Sequence, residues 1–315
     1  MSTLATTEIE TDQPKTVPAG ADSTRRRSIG RVIAWIVMIA IMIFTLAPFY
    51  WIVRTALSSN AAILAHPATP WPVGFSLDSF KRVFGWQTGD AAIAAGGSGQ
   101  SINFWLYLRN SIIVACLVTV GQVFFSAMAA YAFSRLRWRL RGPVFAIFLA
   151  GLMVPSIFTL LPNFVLIKQI GLIDTLPGIA LPTMLMSPFA IFFLRQFFLT
   201  VSREVEEAAL IDGASKVMIF FRLIIPMSVA PITTLAVLTY ITSWNDYFWP
   251  LMVSYTDSSR VLTVALAVFK SQTPNTGPDW AGLMAATLVA ALPMLILFMV
   301  FARRIVNSIG FSGIK

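Results

Sequence analysis

The chain has 315 residues, of which 57% are hydrophobic and 12% charged, with a mean hydropathy of +0.76. Soluble domains carry about 25% charged residues, so this composition excludes one and indicates an integral membrane protein. The net charge of +9 falls mostly beside apolar segments, where it reads as a topology signal and not as a nucleic-acid footprint.

Residues Met1 to Ser28 are rich in Thr, Ser, Glu, Asp, Pro and Gly, so a disordered tail is expected over 1–30. Arg25, Arg26, Arg27 and Arg31 then precede an apolar run of 22 residues, Val32 to Val53. That run is long enough to span a bilayer and too long for a signal-peptide core. No small-x-small cleavage site ends it, so it reads as a retained first span.

The segment 54–105 holds Pro67, Pro70, Pro72 and the run Gly96-Gly97-Ser98-Gly99, and is expected to lie outside the membrane as a loop with short helices. Leu77-Asp78-Ser79-Phe80 predicts a helix start capped at Asp78 or Ser79. His66, the only histidine, sits in this loop beside Pro67 and is assigned no role. A second span is predicted from about Tyr107 to Phe133, with Asn110 and Ser111 near its outer end. It contains Cys116, the only cysteine, so neither a disulfide framework nor a Cys-based metal site is available.

Arg135, Arg137, Arg139 and Arg141 stop that span and anchor it on the cytoplasmic side. A third span, about Pro143 to Ile167, contains Pro155 and Pro162; a fourth, about Gly178 to Phe198, contains Pro182 and Pro188. Proline frees a carbonyl and kinks a spanning helix, which is tolerated where neighbours or a cavity compensate. The fifth span runs from about Met227 to Tyr247. The sixth runs from about Leu283 to Phe301 and is closed by Arg303 and Arg304. Six spans place both termini on one side. Of the 23 Lys and Arg residues, roughly 16 share that side against 7 opposite, so the termini are expected in the cytoplasm.

Between the fourth and fifth spans lies a polar, acidic stretch, 200–226, on the same cytoplasmic side. Ser202 is placed to cap a short helix whose first turns carry Glu204, Glu206 and Glu207, favoured at the positive end of the helix dipole. Ala208 and Ala209 leave one face nearly flat for the close approach of another surface. Gly213 suits a left-handed C-terminal turn. Ser215 is placed to cap a second helix that re-enters the membrane through Val217, Ile219, Phe220 and Phe221.

This stretch resembles the cytoplasmic "EAA" loop of ABC importer permeases. It reads Glu207-Ala208-Ala209, Leu210-Ile211-Asp212, then Gly213, with Pro226 downstream. From Arg31 onward the chain is similar to six-span carbohydrate permeases of the maltose-importer type. The similarity is carried by Asn110-Ser111, Ala129-Ala130-Tyr131-Ala132 with Arg135, Met153-Val154-Pro155 through Pro162, and Gly171-Leu172-Ile173-Asp174-Thr175. It continues through Trp244-Asn245-Asp246 and the tail Gly310 to Lys315. The long N-terminal tail and the Gly-rich insertion before Ser101 depart from that pattern.

The resemblance implies an all-α integral membrane protein with six transmembrane helices and a type I ABC importer permease fold. Its residues 31–315 would form the permease domain, in a bacterial or archaeal plasma membrane. It further implies that Glu206, Glu207, Ala208, Ala209, Asp212, Gly213 and Pro226 couple the chain to an ATPase. Trp244, Asn245 and Asp246 become candidates for an outer gate or a binding-protein contact. The implied partners are a second, homologous permease subunit, two ATPase subunits, an extracytoplasmic solute-binding protein and membrane lipid, with no nucleic acid. The sequence contains no Gly-x-x-x-x-Gly-Lys-Ser/Thr phosphate loop. ATP and Mg are therefore expected on the partner subunits, with no cofactor, metal or catalytic residue on this chain.

An ion-driven secondary transporter or channel subunit is the alternative reading. Such carriers place an ionisable coupling residue in the bilayer interior, and the predicted spans hold none at mid-depth. Arg54, Arg109 and Arg195 fall near span ends, where long side chains snorkel. A membrane-embedded enzyme would need a polar catalytic constellation, and no clustered carboxylates, His or Ser-Lys pair suggest one. Trp244, Tyr247, Phe248 and Trp249 suit either a sugar-stacking platform or, as favoured here, the aromatic belt at the membrane surface.

Overall fold

The computed structural model describes residues 21–87, 90, 93, 102–271 and 279–310, with side chains described for 30–87, 90, 93, 102–267 and 279–301. Of the tail expected to be disordered over 1–30, residues 1–20 lie outside the described residues, as does the glycine run at 96–99, whereas 21–30 are helical. Among the described residues the structure is helical, apart from an isolated antiparallel bridge between Ser58 and Phe75. The chain divides at Trp51 into an N-terminal unit and a main unit.

Helix α1, Ala21–Ala56, begins eleven residues before the predicted span, with Pro18 and Gly20 as the last breakers in the sequence ahead of it. From Gly30 onward it is long and apolar enough to cross a membrane. Its large apolar side chains, such as Val32, Ile36, Ile41 and Phe44, point in every direction, as a lipid-facing helix requires.

The main unit opens with two short helices, α2 (Asn60–Ala65) and α3 (Asp78–Val83). Leu77 precedes α3 and gives no side-chain cap. Instead Ser76 Oγ donates to the Asp78 carboxylate and accepts from the Asp78 N–H. Arg54 does not snorkel: it is buried and donates to the carbonyls of His66 and Trp71 at 3.2 Å, tying down the loop that follows.

Helix α4, Phe104–Arg135, is the central strut. At about 1.5 Å per residue its 32 residues extend ~48 Å, well beyond the roughly 30 Å of a hydrocarbon core. The predicted third span is two shorter helices, α5 (Arg141–Gly151) and α6 (Ile157–Gln169). Pro155 accounts for the break, because it lacks an N–H and disfavours helical backbone at Val154. The preceding N–H groups of Leu152, Met153 and Val154 close tighter three-residue turns instead.

The predicted fourth span is α7 (Leu176–Met184) and α8 (Pro188–Thr200), bent by 48°. Ser187 caps α8 by accepting from the Ala190 N–H, and Pro188 occupies its first turn, where no N–H is needed. After α9 (Arg203–Ile211), helix α10 (Lys216–Met227) meets α11 (Val229–Trp244) at 80°. Within α10, residues Phe220–Ile224 form a π turn in which the Ile225 N–H reaches back to Phe220 O. Pro226, which has no N–H for Arg222 O, follows this widened turn directly. The chain ends with α12 (Phe248–Val253), α13 (Leu262–Ser271) and α14 (Trp280–Gly310).

By length and apolarity α1, α4 and α14 each suffice as a span, and the two bent pairs bring the number to five. The remaining predicted span, the third, falls on α5 and α6, two shorter apolar helices.

Helices α7, α8 and α11 pack on α4. Gly121 makes that packing possible, since a Cβ there would lie 2.6 Å from the Met184 carbonyl oxygen at the end of α7. At the Arg135 end of α4, Ala127, Ala130 and Tyr131 pack with Leu194, Phe198, Ile219 and Ile224. At the Asn110 end, Val114 and Val118 pack with Ile179, Trp249 and Val253.

Buried polar groups fix the Asn110 end. Asn110 Nδ2 donates to Ser258 O and Arg260 O, both at 2.9 Å, and Ser111 Oγ accepts from the Leu262 N–H at 2.8 Å. The Arg82 guanidinium lies 2.5 Å from the Asp279 carboxylate, and Asn60 Oδ1 accepts from the Trp280 N–H at the start of α14. The aromatic-belt expectation fails for two of its four residues. Trp244 is buried and stacks on Tyr240, and Trp249 is buried with its indole N–H donating to Ile179 O at 3.0 Å. A belt rule gives the depth of an aromatic ring and not its rotation about the helix, and here the rotation is inward.

Candidate functional site

The acidic stretch folds as its local chemistry directs. Ser202 Oγ accepts from the Glu204 N–H at 3.2 Å and caps α9. At the other end the Ala214 N–H bonds to Ala209 O at 2.9 Å and the Gly213 N–H to Leu210 O at 3.1 Å. This double bond pattern is a Schellman motif, and it needs the left-handed backbone that Gly213 supplies with φ of +81°. Ser215 Oγ then accepts from the Met218 N–H at 3.2 Å and starts α10.

The two adjacent glutamates face opposite environments. Glu206 is buried, with its carboxylate 3.5 Å from Arg135 Nη1 and 3.7 Å from Lys216 Nζ. Arg135 also donates to Phe198 O and Val201 O at the end of α8, satisfying carbonyls that the helix leaves open. Tyr131 donates its hydroxyl to Lys216 O at 3.3 Å. The loop is thus fastened to α4 and α8 from beneath. Glu207 stays exposed.

The alanine pair splits in the same way. Ala208 is exposed, whereas Ala209 turns inward onto the apolar cluster beneath. The surface left open comprises Glu207, Ala208, Ile211, Asp212 and Gly213, joined by Val217 of α10. Ile211 is 88% exposed and Val217 66%. Neither Ile211, at the end of the capped and ion-paired α9, nor Val217, at the start of α10, is packed away within this chain. Pro226 is exposed at the far end of α10, beyond the π turn.

The second predicted group does not form one surface. Trp244 is in the core. Asn245 is exposed and folds its amide back to Ile241 O at 2.8 Å. Asp246 is half-buried, its carboxylate facing the backbone N–H groups of Tyr247 and Trp249, and it lines a cleft in the main unit.

Sequence reasoning missed the parts played by Arg135 and Lys216. Arg135 reads as one of four topology-setting arginines, yet it is the one turned under the acidic helix. The available signal was Glu206 itself, since a carboxylate on the inward face of a helix requires a cationic partner. Among the described residues no group of three or more His, Cys, Asp and Glu side chains is placed to hold a metal ion.

Residues 122–310 match the family described as "binding-protein-dependent transport system inner membrane component". The sn-glycerol-3-phosphate transport system permease protein of Shigella flexneri is 31% identical over 271 residues, covering 86% of this chain and 92% of the relative. The trehalose/maltose transport system permease protein of Thermococcus litoralis is 28% identical over 294 residues, covering 92% and 99%. Among solved structures, a chain of a bacterial ABC transporter involved in the import of the acidic polysaccharide alginate superposes with a TM-score of 0.74. It is 22% identical and covers 91% of this chain and 99% of that one.

Proposed function

The chain belongs to the family of binding-protein-dependent transport system inner membrane components, and from that premise we propose that it forms half of an ATP-driven import pathway. The cargo is a sugar or sugar-like solute delivered by an external binding protein. The observation that carries this reading is the surface of α9. It presents Ile211 and Ala208 outward while Glu206 and Arg135 lock the helix to α4 and α8 from within.

A helix so arranged receives a partner and transmits its motion, as the resemblance of Glu207 to Gly213 to a coupling loop implies. Two ATPase subunits, using ATP and Mg, supply the energy, and a second, homologous permease supplies the other half of the pathway. With the broken pair α5 and α6 as one more span there are six, so both termini and α9 share one side. The arginine asymmetry supports the cytoplasm for that side and the outside for the loop 54–105. The relatives' cargoes, a glycerol phosphate and trehalose or maltose, support a polyhydroxylated solute.

The test is reconstitution in liposomes. The chain assembled with its partner permease, ATPases and binding protein takes up solute only with ATP, and the purified chain alone transports nothing. Uptake by the single chain on an ion gradient would overturn this reading in favour of a secondary carrier.

A further inference from the structure

Resting on the importer reading above, we infer that the cleft at the break between α7 and α8 is this chain's own cargo surface, and that the cargo is uncharged. The cleft has a volume of about 610 Å³ and lies where α7, α8 and α11 face the middle of α4. That size falls in the range of about 300–1,000 Å³ typical of small-molecule sites, enough for a short saccharide.

Its walls are mainly apolar, with one polar strip. Gln122 of α4 and Thr183 of α7 contribute to this strip, and Thr239, Thr242 and Ser243 of α11 lead along it to Asp246. Polar side chains within spanning segments are costly facing lipid and collect where they line a pathway. Among the described residues none of the side chains lining the cleft is Lys, Arg or His.

The balance of donors and acceptors favours one class of solute. Thr242 spends its hydroxyl proton on Leu238 O at 2.9 Å and Thr183 on Ala180 O at 3.4 Å, so both oxygens offer lone pairs to the cleft. Asp246 lies at the end of the same strip, its carboxylate oxygens facing the backbone N–H groups of Tyr247 and Trp249.

A polyhydroxylated solute donates to these oxygens and accepts from the Gln122 amide, which carries donors as well as an acceptor. A phosphate or uronate brings further acceptors and a negative charge toward Asp246, with no cation to receive it. The apolar side has its own part: Phe189 lines the cleft half exposed, braced by the stacked ring of Phe193 at 5.9 Å between centroids. It offers a flat face to the C–H side of a sugar ring. This is the aromatic contact that Trp244 and Trp249, both buried, do not make.

The test uses the assembled importer. Its binding protein is first screened by thermal shift against maltose, trehalose and diacetylchitobiose as neutral probes. Glucuronate and sn-glycerol 3-phosphate serve as the anionic probes. ATP-driven uptake of every probe into proteoliposomes is then measured for the wild type and for Thr239→Val and Gln122→Leu, each confirmed to assemble by co-purification.

The expected result is uptake of a neutral probe and of neither anionic one. Both substitutions then raise its KM about tenfold, the loss of roughly one hydrogen bond, while the separate binding protein's affinity for that probe stays unchanged. Uptake of an anionic probe, failure of every neutral probe, or neutral uptake indifferent to both substitutions overturns the inference and leaves ATP-driven import standing. Uptake driven by an ion gradient without ATP overturns both.

Discussion

The Arg135 guanidinium and the Glu206 carboxylate lie 3.5 Å apart, both closed off from solvent, and join the end of α4 to the middle of α9. Because Arg135 also holds the last carbonyls of α8, one side chain connects three helices. The same guanidinium therefore ties α9 to both α4 and α8. Lys216 approaches the same carboxylate at 3.7 Å but is half exposed, where an ion pair contributes little.

That arrangement separates two neighbouring glutamates by experiment. Glu206→Ala leaves Arg135 buried without its counter-charge, which costs about 3–5 kcal/mol. Glu207→Ala removes an exposed side chain and stays within about 0.5 kcal/mol. Thermal melting in detergent of this chain with its partner permease, without the ATPases, should show a large drop for the first and none for the second. Equal drops would contradict the assignment of Glu206 as the anchor.

What the sequence made legible was what acts over a few residues. Ser202, Ser215 and Gly213 cap and turn α9 and α10 through bonds to positions two to five residues away, so their roles could be read directly. Which of Glu206 and Glu207 faces inward could not, since successive residues on a helix point about 100° apart and Arg135, far away in sequence, decides between them. Pro155 and Pro162 marked the third span as irregular, yet only the former interrupts it. Its neighbours found three-residue turns, whereas Pro162 sits inside α6. The inward rotation of Trp249 depends on Ile179 of another helix and left no local trace.

Asp174 gives a pH prediction. It joins the turn between α6 and α7 to the segment after α12, accepting from the N–H groups of Tyr255 at 2.8 Å and Thr256 at 3.0 Å and from the Ser259 hydroxyl. Burial works against its charge, but these hydrogen bonds prevail and hold its pKa at about 2, below the ordinary 3.8. A depressed folded pKa means stability that is fully present above the unfolded value and lost as pH falls through about 2. Asp174 has φ of +62°, a conformation that Asn also tolerates, so Asp174→Asn tests the charge and not the backbone. The substitution should cost about 1–2 kcal/mol at pH 7, at the low end because the group is half exposed. The gap in melting temperature from the wild type should narrow as pH falls from about 4 towards 2. A gap independent of pH would refute the charge-based account.

Orientation follows from the arginine asymmetry. Single cysteines are placed at Arg139 and Ser98 in a Cys116→Ser background, necessary because Cys116 is exposed in the isolated chain. An impermeant thiol reagent applied to intact cells should label position 98 and spare position 139. The reverse pattern would invert the topology and move α9 to the outside.

Gly213 distinguishes a turn that serves only this chain from one that seats a partner. A Cβ built on Gly213 meets nothing within 4 Å, and the backbone there is left-handed at φ +81°. Within this chain the position therefore resists a side chain through conformation alone, at about 1–2 kcal/mol for Ala. Asn adopts left-handed backbone more readily, so Gly213→Asn should leave melting of the complex nearly unchanged. If Ile211, Asp212 and Gly213 lie against an ATPase subunit, the same Asn side chain enters that contact. ATPase stimulation by loaded binding protein and solute uptake should then fall together by at least tenfold, with this chain still folded and the partner permease still bound. Glu207→Lys, which reverses a charge on the same exposed face, should do likewise. Full stimulation and uptake by both variants would show that the face does not dock the ATPase, and the exposed Ile211 would need a different partner.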